Sequence, residues 1–273
     1  MSRGNNEPRL FNTLPPETVS EDLAPVIEAL GLGEHCRQLA MEGWTVIENA
    51  AGPEFNAALR QSILDVTRRR GGNMLLAAHP DFAEAVLNPR LLALAEFSVG
   101  RGFLLSQVAA SVRPKGADSI GLHADHNWMP APFPAHNMLL TACWATDGYT
   151  QCGGGTLIIP GSNVLRRHPN REETAAQRGA VPVECPPGSV VLWDGNLWHS
   201  NYPRAVEGER VVCHITYTRM MCRPVEDYAD HADRLIAEHG ARMSQLLGRE
   251  DSLFKRGGFD YSRIVQTFNN AKL

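Results

Sequence analysis

What this chain lacks narrows it first. Basic residues number 26 against 30 acidic ones, a formal net charge of −4, so no positive field gathers nucleic acid or an anionic membrane surface. The only basic run, Arg68-Arg69-Arg70, precedes Gly71-Gly72. It reads as a helix C-terminus, where cations complement the dipole and glycine supplies the left-handed cap. There is no apolar run of about 18 residues, the minimum for a membrane-spanning helix. The opening MSRGNNEPRL carries charge without the apolar stretch of a secretory signal. Six cysteines (Cys36, Cys143, Cys152, Cys185, Cys213 and Cys222) form no CxxC pair. These absences predict a cytoplasmic protein with free thiols and neither a nucleic-acid nor a membrane partner.

What is present supports a sizeable core. With 43% hydrophobic and 21% charged residues, gross disorder is excluded. A single domain over 1–273 is expected, in four stretches: an N-terminal arm (1–20), a helical flank (21–100), a β core (101–220) and a C-terminal helical region (221–273). In the flank, Phe55, Leu59, Ile63 and Val66 recur at helical spacing. Asn88-Pro89 reads as an N-cap with proline at the first helical position. Trp44–Ile47 reads as a short strand.

From about Phe103 to Thr218 the pattern changes to short β-type runs separated by Gly, Pro and Asn. These are Phe103–Val112, Met138–Ala145, Gly155–Ile159, Ser189–Trp193 and Arg210–Thr218. Their spacing suggests an antiparallel sandwich or barrel. Beyond it, Leu235, Ile236, His239, Met243, Leu246 and Leu247 form an apolar stripe suited to core packing or to a homodimer face.

Gly121-Leu-His-Ala-Asp-His126 carries the first chemistry. In extended backbone, side chains at i and i+2 share a side, so His123 and Asp125 project together and His126 projects away. A nitrogen and a carboxylate oxygen make two ligands for a divalent metal, and a third must come from elsewhere. His199 is the best candidate, in Trp-His-Ser-Asn after the strand Ser189–Trp193. Two histidines and a carboxylate form the facial triad of Fe(II) oxygenases, although Mn, Co and Ni accept the same donors. Eleven positions later, Arg210 begins an alternating run with Val212, His214, Thr216 and Thr218 on one face. An inward arginine needs an anionic partner, and guanidinium grips a carboxylate bidentately.

In order, these elements are His-x-Asp (123–125), Gly154-Gly-Thr-Leu-Ile-Ile-Pro-Gly-Ser162, Pro187-Gly-Ser-Val-Val-Leu-Trp-Asp194, Trp198-His-Ser200 and Arg210. Together they resemble the phytanoyl-CoA dioxygenase family of Fe(II)/2-oxoglutarate-dependent oxygenases over about residues 40–220. The resemblance extends to Glu42–Ile47 and to Asn88-Pro-Arg-Leu-Leu92.

The resemblance implies a mainly β fold with flanking helices, its core a double-stranded β-helix of the jelly-roll, cupin-like type. It implies Fe(II) on His123, Asp125 and His199, and Arg210 on the distal carboxylate of 2-oxoglutarate. Thr150 would add a hydrogen bond to that co-substrate, and Gln107 is a second candidate for the same task. Dioxygen would be consumed, with succinate and carbon dioxide released as a small to medium organic molecule is hydroxylated or desaturated. The chain departs from the family at Cys152-Gly153, where Glu-Asn is usual, and at Asn163, where His is usual.

His126, Trp128, Met129 and Asn201 are candidate substrate contacts, and His126 and His136 flank the expected mouth. Arg113 and Arg204 are candidates to meet an anionic substrate, and Arg219 is the reserve for the co-substrate anchor. The lack of a dense basic cluster favours a free, mostly apolar metabolite over a CoA thioester. Three other readings stay open: a cupin-like metalloenzyme without 2-oxoglutarate, a metal-free binding protein on the same fold, and a halogenase. Asp125 argues against the last, because halogenating relatives replace this carboxylate with a small residue.

Overall fold

In the computed structural model, residues 14–250 are described, so most of the expected arm and residues 251–273 of the expected C-terminal region lie outside the described residues. A helical flank comes first: α1 (Ala24–Ala29), α2 (Gly33–Glu42), strand β1 (Trp44–Ile47), α3 (Pro53–Arg70), α4 (Pro80–Val86) and α5 (Pro89–Val99). The β core follows: β2 (Leu104–Pro114), β3 (Leu139–Ala145), β4 (Thr156–Ile158), the short α6 (Arg171–Ala176), β5 (Val181–Pro182), β6 (Ser189–Asp194), β7 (His199–Asn201) and β8 (Glu209–Thr218). Two short helices, α7 (Ala232–His239) and α8 (Ala241–Leu246), come last.

Local chemistry explains the helix ends. The Asn88 side chain accepts the N–H groups of Arg90 and Leu91, and Pro89 has no N–H to leave orphaned. Helix α3 ends on Arg68-Arg69-Arg70 and is capped at Gly71, with φ of 87°. The C-terminal stripe is not one helix, because Gly240 at φ 75° breaks it. Leu235, Met243 and Leu246 are buried in the main core, with Ile236 and Leu247 packed against it. The stripe therefore serves core packing.

The strands form two antiparallel sheets, ordered β1-β6-β3-β8-β2 and β5-β4-β7. Alternation sorts the two faces of the larger sheet. Leu140, Ala142 and Trp144 of β3 and Val211, Cys213, Ile215 and Tyr217 of β8 face the helices, where α3 and α5 pack. Cys143, Val191, Trp193 and Val212 face inward and meet Ile158, Val183 and Leu197. The inward face also carries Thr141, Arg210, His214 and Thr216, which line the cavity between the sheets. Each large apolar side chain buried under the helices contributes about 1.5–3 kcal/mol. A one-residue slip of β8 would drive Arg210 and His214 into that apolar layer, so the outer core fixes which residues reach the interior.

A tight turn at Asp194-Gly195-Asn196 leads from β6 towards β7. A Cβ at residue 195 would stand 2.6 Å from His126 Nε2 and 2.9 Å from the Leu139 carbonyl oxygen, so only glycine passes there. No helix among the described residues is long and apolar enough to cross a membrane.

Candidate metal centre

The two histidines are brought together by backbone pairing. His123 and His199 exchange both N–H···O bonds, at 3.0 Å and 2.9 Å, so the segment before Asp125 pairs alongside β7. Residues paired in this way project to the same face, and the two imidazole centroids lie 4.3 Å apart. Each Nδ1 faces a carbonyl two residues back: Gly121 at 2.8 Å for His123 and Leu197 at 3.1 Å for His199. A carbonyl only accepts, so each Nδ1 carries a proton, and in the neutral ring each Nε2 has a lone pair for a cation.

Asp125 completes the cluster. Its Oδ1 lies 3.4 Å from His199 Nε2 and 3.6 Å from His123 Nε2. One ligand atom from each of the three residues falls within 4.8 Å of the others, close enough to hold one metal ion. Thr141 and Trp193 donate to the other oxygen, Oδ2, at 2.7 Å and 2.9 Å. Burial alone would raise the Asp125 carboxyl, but His199, His123 and Thr141 hold it well below the usual carboxylate range. Burial lowers the His199 imidazole despite Asp125. Burial also acts to lower His123, but there Asp125 outweighs it and the net shift is upward. The carboxylate is thus ionised and fixed without a metal, the form in which it is a ligand.

A cavity of about 440 Å³ opens beside this cluster, along the inner faces of β2, β3 and β8. Arg210 lines it and is 6% exposed. Its Nε and Nη1 have no hydrogen-bond partner among the described residues, and its guanidinium lies 5.4 Å from the centroid of the Tyr149 ring. Burial lowers its pKa, the mark of a cation short of solvent and of counter-charge. An unpaired buried guanidinium costs on the order of several kcal/mol, and an anion bound there would offset that cost.

Gln107, Trp128 and Asn201 line the same cavity, as does Arg113. Asn201 accepts the Ile120 N–H at 3.1 Å and donates to the Tyr202 carbonyl at 2.7 Å, holding the wall together. Other expected contacts are corrected. Thr150 is exposed, and its hydroxyl accepts the Gly153 N–H at 3.0 Å, capping a turn outside the cavity. The preceding residue, Tyr149, points inward instead. His126 is buried on the far side of its segment, paired with Asn196 at 2.8 Å and set edge-on to Phe133, so it does not face the cavity. Met129 packs beside Leu122, Phe133 and Trp198 beneath the loop. His136 lines a separate cavity of about 290 Å³, not the mouth. Arg204 donates to the Gly153, Glu207 and Gly208 carbonyls and is spent on loop structure. Arg219 is buried, donates through Nε to the Asn137 carbonyl and leaves Nη2 without a partner among the described residues, but it does not line this cavity.

The residues that sequence reasoning missed are Thr141, Trp193, Tyr149 and Thr156, all on the cavity wall. For Thr141 a signal existed: it shares the inward face of β3 with Cys143 and Ala145, which are apolar.

The fold and the cluster define a jelly-roll protein with two histidines and one carboxylate poised around a single point. The chain belongs to the phytanoyl-CoA dioxygenase family of Fe(II)/2-oxoglutarate-dependent oxygenases, whose model matches residues 65–210. It is 30% identical over 157 residues to Dioxygenase af480 of Aspergillus fumigatus, a match that covers 57% of this chain and half of the fungal protein's length. Among solved structures it resembles HygX from Streptomyces hygroscopicus with nickel and 2-oxoglutarate bound, at TM-score 0.59 and 17% identity over 78% of this chain and 93% of that one. It also resembles the epimerase SnoN in complex with Fe3+, alpha-ketoglutarate and nogalamycin RO, at TM-score 0.62 and 16% identity over 72% and 88% of the two chains.

Proposed function

We propose that this chain is an Fe(II)/2-oxoglutarate-dependent dioxygenase that hydroxylates or desaturates an unactivated C–H bond of a small to medium organic metabolite. One observation carries the reading: a buried guanidinium without hydrogen-bond partners at Nε and Nη1 shares a cavity with the His–Asp–His cluster. The cluster alone would suit a cupin-like metalloenzyme. Such an enzyme has no use for Arg210, whereas a dicarboxylate co-substrate does.

In this reading His123, Asp125 and His199 hold the metal and Arg210 holds the distal carboxylate of 2-oxoglutarate. The donor set fits: two neutral imidazole nitrogens and one carboxylate oxygen, with positions left over for co-substrate and dioxygen. Iron with 2-oxoglutarate and dioxygen supplies the oxidation, with succinate and carbon dioxide as co-products. Thr141 and Trp193 keep Asp125 Oδ1 turned to the metal, and Tyr149 buttresses the Arg210 guanidinium. Gln107 is kept as a co-substrate contact because it lines the cavity opposite Thr216 in the β2–β8 register. The six free cysteines agree with a cytoplasmic setting.

The test has two stages. Anaerobic protein with Fe(II) should develop a visible charge-transfer absorption on addition of 2-oxoglutarate. A succinate-release screen across substrate classes should then give a product heavier by one oxygen or lighter by two hydrogens. No absorption with Fe(II), combined with no metal-dependent succinate release, would sink the reading.

A further inference from the structure

Arg113 and Arg210 are direct cross-strand partners in the β2–β8 register, and both line the cavity. Like charges opposite one another on a sheet repel. Arg113 has no carboxylate partner among the described residues, and its hydrogen bond goes to the backbone carbonyl of Asp118 at 2.7 Å. Asp125 is the one acidic side chain on the cavity wall among the described residues. A divalent metal, Asp125, doubly negative 2-oxoglutarate and Arg210 sum to zero. Among the described residues of the cavity wall, Arg113 is then the single cation left without a counter-charge.

The mouth has a different character. Ile120, Trp128 and Val225 line the cavity and are 42%, 78% and 50% exposed. Isolated exposed apolar side chains are ordinary. Three of them around one opening form a patch of the kind that marks a ligand site. Trp128 offers the largest surface and presents it almost wholly to solvent.

We infer that the substrate is an amphiphilic monoanion, its apolar body held by Ile120, Trp128 and Val225 and its anionic group by Arg113. An apolar carboxylic acid is the simplest such molecule. The inference rests on the oxygenase reading above and narrows it. A cationic substrate would find no free acid on the wall, and a CoA thioester would bring several phosphates to one guanidinium.

The experiment uses the full chain with Fe(II) and 2-oxoglutarate. Aliphatic and aromatic carboxylic acids of rising apolar size are compared with their matched primary amides and amines, and succinate release is measured against a no-substrate control. Acids should stimulate release at least about tenfold more efficiently than amides or amines, the effect of one charge-assisted hydrogen-bonded pair. Arg113→Gln should bring the acid-over-amide ratio close to one, and Arg113→Lys should keep most of it. Trp128→Ala should raise the half-saturating acid concentration, more for larger apolar bodies.

Amides or amines that match acids in the wild type overturn the inference, whether or not the Arg113→Gln variant folds. So does an acid preference that survives Arg113→Gln, or a panel in which no acid stimulates release or perturbs the charge-transfer absorption. Absence of that absorption in the wild type before any substrate is added sinks the oxygenase reading instead, which separates the two failures.

Discussion

Trp193 and Asp125 are joined by an indole N–H donated at 2.9 Å to the carboxylate oxygen Oδ2, the oxygen that also accepts the Thr141 hydroxyl. Oδ1 is left to face both imidazoles. The orientation of the carboxylate is thus set by two neighbours on the larger sheet, β3 and β6, and not by Asp125's own segment.

That relationship predicts the first outcome. Asp125→Ala should abolish turnover and metal binding. Trp193→Phe with Thr141→Val should keep the ligand but free its rotation, lowering metal affinity about 10- to 100-fold. Calorimetric titration with Mn(II), a stable surrogate, measures both. Unchanged affinity in the double variant would show that Oδ2 needs no anchoring.

Arg210 should separate stability from co-substrate binding. Arg210→Met removes a buried cation with unpaired nitrogens, so the metal-free variant should be at least as stable as the wild type, by up to about 3 kcal/mol. Its 2-oxoglutarate requirement should rise about 10- to 100-fold or more, from loss of a charge-assisted pair, with metal binding largely intact. Thermal melts with and without 2-oxoglutarate give both numbers, because ligand binding raises the midpoint only where the site survives. Equal 2-oxoglutarate affinity in variant and wild type would place the anchor elsewhere.

His214 should make the metal-free protein acid-sensitive. Burial, and then the nearby Arg210 charge, push its pKa down to about 4 from 6.5. Its Nε2 meets Ser111 Oγ at 2.9 Å and its Nδ1 meets Cys143 Sγ at 3.0 Å. The folded-state value lies below the unfolded one, so at low pH the unfolded chain binds a proton that the folded chain refuses. Stability attributable to this residue is intact above pH 6.5 and falls progressively towards pH 4, by at most about 3 kcal/mol. Denaturant midpoints of wild type and His214→Gln across that range should converge as the pH falls. Parallel curves would contradict the assignment.

Glu226 should be a structural keystone away from the cavity wall. Its carboxylate accepts the Met74 N–H at 2.6 Å, the Val108 N–H at 2.8 Å and the Tyr228 hydroxyl. It thereby ties strand β2 to the loop after α3. Glu226→Ala leaves these donors in a buried place and should cost about 3 kcal/mol or more. Glu226→Gln, which keeps one acceptor oxygen, should cost less. Chemical denaturation distinguishes them, and a loss below about 1 kcal/mol for the alanine variant would mean that water replaces the carboxylate.

Much of this was legible in the chain itself. The strand and helix positions follow from side-chain period: β8 was readable from Arg210 to Thr218 because inward and outward residues differ in kind. His123 and Asp125 share a side because two residues separate equivalent positions in extended backbone, and the same rule sent His126 the other way. Arg210 was readable as inward because it stands in phase with His214 and Thr216.

What the chain alone left open is what depends on partners distant in sequence. Thr150 and Tyr149 are neighbours, and only the turn capped through Gly153 decides which of them faces the cavity. Met129 and His136 read as mouth residues until the packing of Phe133 and the second cavity placed them elsewhere. Thr141 and Trp193 converge on one carboxylate oxygen because β3 and β6 are adjacent in the sheet, a pairing that local period does not encode. The sequence by itself determined which side chains point inward, because alternation is a property of a single strand. The tertiary structure decided which of those side chains meet, because meeting requires strand order and register, and these are fixed by burying the opposite face under the helices.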